Sequence, residues 1–194
     1  MSINLLEKVQ ENLQYPPLKK IDPATQQAGS DSTVVNDNQF SQSAIPAMLV
    51  GLYKYSTTDE GAAEILRGDY STNWVTKIFD DTKRQVVETI ASYVNEPQLD
   101  SYEKMNNIAD EAVKLTKENL PKDAELKDVK TFLSNQVNNI LPYLPPALHM
   151  GDFLNDTTID DNTNKMEGPI SSLMHAIGSA FSTPETEADK QKNI

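Results

Sequence analysis

The sequence predicts an all-α protein. Apolar residues recur at spacings of three and four through most of the chain, which is the period of an amphipathic helix. No stretch alternates polar and apolar residues as a half-buried strand would. We expect an irregular array of about seven helices in a single compact domain over residues 1–182, followed by a frayed polar tail at residues 183–194.

The N-terminal segment predicts one helix and one long loop. Apolar positions place a helix from Ser2 to Leu13, which Pro16 and Pro17 bring to an end. Residues 19–37 are polar and contain both proline and glycine. A loop of this length is unusual inside a compact domain, so we expect it to be partly mobile or functional.

The apolar run resumes at Asn38 and keeps a helical period as far as Tyr55. Pro46 lies inside this run, so the helix either begins or kinks at the proline. Thr57 and Glu60 have the spacing of a capping box, which predicts the start of another helix.

Further helices follow from the same period and from the residues that cap or break helices. We expect a short helix at Asp59–Leu66 ended by Gly68, a short helix around Trp74 capped by Ser71, a helix over Val86–Val94 that ends before Pro97, a long helix from Leu99 to Leu120, a helix over Leu126–Leu144 capped by Asp123, and a final helix from Pro169 to Phe181.

The charge balance argues against nucleic acid as a partner. The chain has 17 basic and 29 acidic residues and a formal net charge of −12, whereas phosphate binding requires clustered lysines and arginines. The same acidity opposes docking on anionic lipid. No run approaches the roughly 18 apolar residues of a membrane helix. We therefore expect neither a nucleic-acid nor a membrane partner.

The expected location is the cytoplasm. The chain has no cysteine, which fits a reducing compartment and removes thiolate chemistry. Glu7 and Glu11 interrupt what would be the apolar stretch of a secretory signal, so we expect no such signal.

The sequence lacks the common catalytic signatures. It has no G-x-S-x-G, no P-loop and no G-x-G-x-x-G. Only two histidines are present, and histidine is the usual acid–base residue near neutral pH. We therefore assign no catalytic residue and expect no cofactor.

A metal or acid–base site is the alternative hypothesis. Its candidates are His149, Asp152, Asp156 and His175, because imidazole and carboxylate together suit a transition metal. The spacings H-x-x-x-H and H-E-x-x-H are absent. Each histidine also has a structural interpretation, since His149 can cap carbonyl groups and His175 can border the apolar face of the final helix.

The polar loop that begins at Asp160 resembles the opening of a calcium-binding loop. Asp160, Asn162 and Asn164 supply oxygen ligands at alternate positions. Lys165 stands where such a loop requires glycine, and Ser171 stands where it requires glutamate. We interpret this segment as a solvated loop that caps the last helix.

Residues 43–66 carry a resemblance to a known family. They contain AIPAML at residues 44–49, then Gly51-Leu52, and later EGAA at residues 60–63. Over residues 38–79 this pattern is similar to the YidB-like domain, a bacterial helical family. The resemblance implies a compact helical array and supplies no catalytic residues. The run YKY at residues 53–55 departs from the pattern, which has smaller residues there.

The small residues beside the proline have two interpretations. Residues such as Gly51 lack bulk and let helices approach closely, which predicts a packed corner. In the second interpretation, Pro46, Tyr53, Tyr55 and Trp74 border a groove that receives a partner helix or peptide. Trp74 is also typical of a core anchor.

Two functions of different class follow. The first is a non-catalytic helical binding or scaffold module, whose partner is another protein or a second copy of the chain. The alternative is a metal-dependent or hydrolytic enzyme that uses the region from His149 to His175. The scarcity of histidine and the missing catalytic motifs favour the first.

Overall fold

The structure is a computed structural model that describes residues 3–21, 36–68 and 72–160. Within these ranges the chain forms helices and turns and no strand, so the all-α prediction is confirmed. The α-helices are, in chain order, α1 (Leu5–Asn12), α2 (Asn36–Ser56), α3 (Asp59–Arg67), α4 (Trp74–Phe79), α5 (Lys83–Val94), α6 (Gln98–Glu118), α7 (Leu126–Ser134), α8 (Val137–Ile140) and α9 (Met150–Phe153).

Most of the predicted loop at residues 19–37 lies outside the described residues, and so do the final helix and the polar tail. The described end of that loop, residues 36–37, belongs to α2. Among the described helices, none is both long and apolar enough to cross a lipid bilayer.

Helix α2 is the centre of the fold. Residues 43–52 are buried without interruption, and the helix contacts α1 and every helix from α3 to α8. A helix that is apolar on all sides has to be covered on all sides. The other helices therefore surround α2, and their apolar faces complete one hydrophobic cluster.

Pro46 lies in the interior of α2, which begins well before it at Asn36. The predicted start of a helix at Pro46 is therefore wrong. Proline lacks a backbone N–H and so removes one helical hydrogen bond. One turn earlier, the Gln42 side chain joins α2 to two other segments by donating to the carbonyl oxygens of Lys19 and Tyr143, both at 2.9 Å.

Buried serines within α2 satisfy their hydroxyl groups on the helix itself. The Ser43 hydroxyl donates to the carbonyl oxygens of Gln39 and Phe40, both at 3.0 Å. The Ser56 hydroxyl donates to the carbonyl oxygen of Tyr53 at 2.6 Å. This local bonding lets polar side chains lie in the core without an unpaired donor.

The cap of α3 lies one residue from its predicted position. The Thr58 hydroxyl accepts the backbone N–H of Gly61 at 2.9 Å, whereas the Thr57 hydroxyl donates to the carbonyl oxygen of Lys54 at 2.7 Å. The capping box predicted at Thr57 is therefore wrong. The predicted end is confirmed, because Gly68 closes α3 with a positive φ of 58°, a conformation that glycine adopts at little cost.

Asparagine side chains cap two other helices. Asn4 caps α1 by accepting the N–H of Glu7 at 3.4 Å, so this helix begins at Leu5. Asn73, and not the predicted Ser71, caps α4 by accepting the N–H of Thr76 at 3.0 Å. Asparagine is among the strongest N-cap residues.

The long helix predicted over Leu126–Leu144 is divided in the structure. It begins after Glu125, whose N–H bonds to a carboxylate in the first turn, and not after Asp123. It breaks between α7 and α8, where Gln136 is buried and its side-chain oxygen accepts the N–H of Leu5 at 2.9 Å. The N–H of Leu5 is buried and, at the start of α1, has no partner within its own helix, which explains a polar residue at this break.

Gly51 packs directly against α4. A Cβ atom built on Gly51 would lie 2.7 Å from Cγ2 of Ile78 and 2.8 Å from Cζ of Phe79. Both side chains are themselves buried, so neither can move aside freely. At this position the structure supports the packed-corner interpretation.

Gly51→Ala is expected to lower the free energy of unfolding by about 1–3 kcal/mol, because the added methyl overpacks the contact with α4. In an uncrowded helix the same change would stabilise the fold by about 1 kcal/mol. The sign of the change in unfolding free energy therefore shows whether position 51 is crowded. Urea denaturation measures it, with the exposed Asn107→Ala of α6 as control. A more stable variant would contradict the close contact.

Candidate metal centre

The candidate site is a cluster of one imidazole and two carboxylates. The potential ligand atoms of His149, Asp152 and Asp160 all lie within 4.8 Å of one another. His149 and Asp152 are exposed, and Asp160 is half-buried. The first two are candidates from the sequence for this site. Asp160 is not among them, because the sequence places it at the calcium-like opening of a segment interpreted as a solvated loop.

A tight turn positions the first two ligands. His149 ends the 3-10 turn Pro146–Leu148 and immediately precedes α9, with a positive φ of 48°. The backbone N–H of Asp152 donates to the carbonyl oxygen of His149 at 3.1 Å. Residues three apart on a helical turn lie on one face, so the two side chains are neighbours.

A chain reversal after α9 brings back the third ligand. Asn155 has a positive φ of 49°, and the N–H of Asp156 donates to the carbonyl oxygen of Gly151 at 2.9 Å. This is the six-to-one bond of a Schellman motif, which ends a helix and turns the chain. Residues 157–160 then form a helical turn that carries Asp160.

Gly151 binds the Asp160 carboxylate through its backbone N–H and leaves space for it. Its backbone N–H donates to Oδ1 of Asp160 at 3.0 Å. A Cβ atom at position 151 would lie 2.5 Å from Oδ2 of the same carboxylate, so only glycine leaves room for it. Hydrogen bonds of this kind, from the surroundings to a ligand, orient the ligands of metal sites.

Buried neighbours hold the ligand-bearing segment on the core. Leu148 and Met150 flank His149 and are 0% and 1% exposed, and Ile159 beside Asp160 is 4% exposed. Core residues in these positions restrict where the ligands between them can move.

Asp156, another candidate from the sequence, is engaged by a different partner. Oδ2 of Asp156 accepts a hydrogen bond from Nζ of Lys54 at 2.8 Å. Burial alone would raise the pKa of Asp156, but the hydrogen bonds from Lys54 and Thr158 outweigh it and the pKa is lowered. His175 and the calcium-like loop after Asp160 lie outside the described residues.

The donor set suits a divalent transition metal. Calcium and magnesium prefer oxygen ligands alone, whereas zinc, iron, manganese, cobalt and nickel accept imidazole with carboxylates. Ligands at about 2.1 Å from a tetrahedral ion stand roughly 3.4 Å apart, so small rotations of the exposed side chains would close the set. Three protein ligands leave a coordination position for water or another molecule.

The candidate groove residues divide into two pairs. Pro46 and Trp74 are buried, so they contact the core. Tyr53 and Tyr55 are partly buried against it. The Tyr55 hydroxyl donates to Glu64 at 2.6 Å, and burial together with this neighbouring carboxylate raises the pKa of Tyr55. Tyr53 is therefore the candidate with the most freedom to meet a partner.

Trp74 has a polar contact inside the core. The indole of Trp74 favours the ionised form of Asp110 on α6, but burial has the larger effect and raises the pKa of Asp110. Oδ1 of Asp110 is buried and has no hydrogen-bond partner within the part of the chain that the structure describes. The ionised form of this carboxylate is therefore destabilised in the folded protein.

Comparisons with known proteins identify no relative: no family model, no curated protein and no solved structure matches the chain. The resemblance of residues 38–79 to the YidB-like domain stays a prediction.

Asp110→Asn is expected to change how stability depends on pH. Because the folded-state pKa is raised, the contribution of Asp110 to stability is complete below the unfolded pKa and is lost as pH rises through the folded pKa. The variant avoids this loss. Its unfolding free energy relative to wild type should therefore be greater near pH 7 than near pH 4, as measured by urea denaturation.

Asp59→Asn is the matched control for that experiment. The hydrogen bond and charge of Lys130 lower the pKa of Asp59, so the contribution of Asp59 is lost as pH falls. The unfolding free energy of this variant relative to wild type should therefore be smaller near pH 7 than near pH 4, the opposite of the trend expected for Asp110→Asn. Equal trends for the two variants would contradict the assigned environment of Asp110.

Gly151→Ala is expected to weaken the binding of a divalent transition metal by about tenfold or more, because the methyl would lie 2.5 Å from Oδ2 of Asp160 and 2.7 Å from the backbone carbonyl oxygen of Asp156 and so displaces the turn that carries Asp160. The helical fold should persist, since Gly151 has an ordinary negative φ within α9. Calorimetric titration with zinc chloride and far-ultraviolet circular dichroism measure the two effects, with the exposed Ser134→Ala as control. Unchanged affinity would show that Gly151 does not place a ligand.

Proposed function

We propose that this protein binds a divalent transition-metal ion through His149, Asp152 and Asp160, on a helical scaffold. The observation that carries the proposal is the approach of these three side chains to within 4.8 Å of one another. A turn and a chain reversal bring them together, so their proximity depends on the folded segment and not on sequence spacing alone.

Two features of the surroundings support a metal site over a chance cluster of surface acids. The backbone N–H of Gly151 orients one oxygen of Asp160, as outer hydrogen bonds do for metal ligands. The neighbouring apolar residues are buried, which reduces the entropy that the ligands lose when they close around an ion.

The proposal relates to both functions expected from the sequence. A helical binding module whose ligand is a metal ion requires no catalytic residue. The exposed face of the cluster also leaves a coordination position open, and a bound ion would lower the pKa of a water molecule there. The alternative function, a metal-dependent hydrolase, would act at that position.

A protein-binding surface is the second candidate function, with another protein or a second copy of the chain as partner. The observation that favours it is Leu99, a large apolar side chain at the start of α6 that is 67% exposed. Covering this side chain in an interface would remove apolar surface from water, which is the main favourable term in most protein–protein association. Size-exclusion chromatography with and without zinc would reveal self-association.

The chain, once stripped with a chelator, should bind one equivalent of zinc in calorimetric titration, with calcium and magnesium as poor competitors. His149→Ala and Asp160→Asn should each weaken this binding by about tenfold or more, because each removes a ligand. Asp123→Asn, which alters an exposed carboxylate outside the cluster, should leave it unchanged.

Two results would contradict the proposal: the absence of zinc binding by the wild-type chain, or equal affinity in wild type and in His149→Ala. Competition by calcium at equal concentration would indicate an oxygen-only site, and that too would count against the ligand set.

A further inference from the structure

Asp156 connects the two turns that carry the proposed ligands. Its backbone N–H donates to the carbonyl oxygen of Gly151 at 2.9 Å, in the turn that carries two of them. Its Oδ1 accepts hydrogen bonds from the backbone N–H of Thr158 at 3.2 Å and from the Thr158 hydroxyl at 2.6 Å. Thr158 lies at the start of the turn that carries the third ligand. A displacement of Asp156 would therefore move the two turns relative to each other.

Lys54 fixes this junction to the central helix. Its Nζ donates to Oδ2 of Asp156 at 2.8 Å, and the two side chains are 34% and 21% exposed. Partial shielding from water makes such a pair stronger than a fully exposed one. Lys54 follows directly from the buried stretch of α2 at residues 43–52, so it extends from the best-packed element of the fold.

We infer that Lys54 is a positioning residue for the metal site: by holding Asp156, it fixes the two ligand-bearing turns at the spacing that one ion requires. The inference rests on the proposed metal binding. A metal site loses affinity when its ligands depart from the correct geometry by about half an ångström. By thermodynamic reciprocity, a bound ion in turn strengthens the attachment of residues 149–160 to α2.

A simple charge effect leads to a different expectation. If charge alone mattered, removing the positive charge of Lys54 would reduce the repulsion of a metal ion and tighten its binding. Removing the negative charge of Asp156 would weaken the binding. If Lys54 and Asp156 act by positioning, the loss of either one weakens binding. The two explanations therefore differ in the sign of the Lys54 effect.

The experiment is calorimetric titration with zinc chloride of wild type, Lys54→Met, Asp156→Asn and Lys54→Arg. Asparagine at position 156 keeps an oxygen that can accept from Thr158, so this variant removes the ion pair and spares the cap. We expect Lys54→Met and Asp156→Asn each to weaken zinc binding by about three- to tenfold, and Lys54→Arg to stay close to wild type, because arginine retains the pair.

Lys130→Met is the matched control. It breaks the ion pair of Lys130 with Asp59 at 2.6 Å, in which the lysine is also 34% exposed, and it should leave zinc affinity unchanged. Thermal unfolding gives a second readout, since zinc should raise the melting temperature of wild type more than that of Lys54→Met.

The outcomes separate the two proposals. No zinc binding by the wild-type chain would overturn the metal site and this inference with it. Zinc binding by wild type that is equal or tighter in Lys54→Met would overturn the positioning role and leave the metal site standing. Weaker binding in both Lys54→Met and Asp156→Asn, with Lys130→Met unaffected, would establish the role.

Discussion

The burial of α2 on all sides is the constraint on which the rest of the structure depends. Residues 43–52 of this helix have no exposed member, and the apolar surface removed from water there is the main favourable term in folding. Within the described part of the chain, seven other helices contact it. Their placement follows from the need to cover an apolar helix on all sides.

This arrangement leaves polar chemistry to the ends of α2 and to the segments that follow the surrounding helices. Lys54 near the C-terminal end of α2 pairs with Asp156, and Tyr55 bonds to Glu64. Because the core excludes unpaired charge, charged groups at its border hold peripheral segments in place. The candidate metal cluster lies in one such segment, where buried leucine, methionine and isoleucine lie beside two exposed ligands and one half-buried ligand.

Much of the helical pattern could be predicted because it depends on local period and on strong breaking residues. Gly68 and Pro97 mark helix ends that the structure also has. The errors concern caps and interruptions. The local pattern favours Thr57, which has Glu60 at the capping-box spacing. In the folded chain the Thr57 hydroxyl bonds back to Lys54 of α2, and Thr58 caps α3. The break at Gln136 depends on an N–H of α1 that is remote in sequence.

The sequence by itself determined the helical class of this protein and the position of its apolar run, since these follow from residue type and spacing. It also gave His149 and Asp152 as candidate ligands, from residue type alone. The tertiary structure alone decided that Asp160 joins them and that Asp156 pairs with Lys54 instead. Both outcomes depend on a chain reversal at Asn155 and on the burial of Leu148, Met150 and Ile159 in the core. Residue type does not distinguish one aspartate of this acidic segment from another, and only the contacts of the folded chain separate their roles.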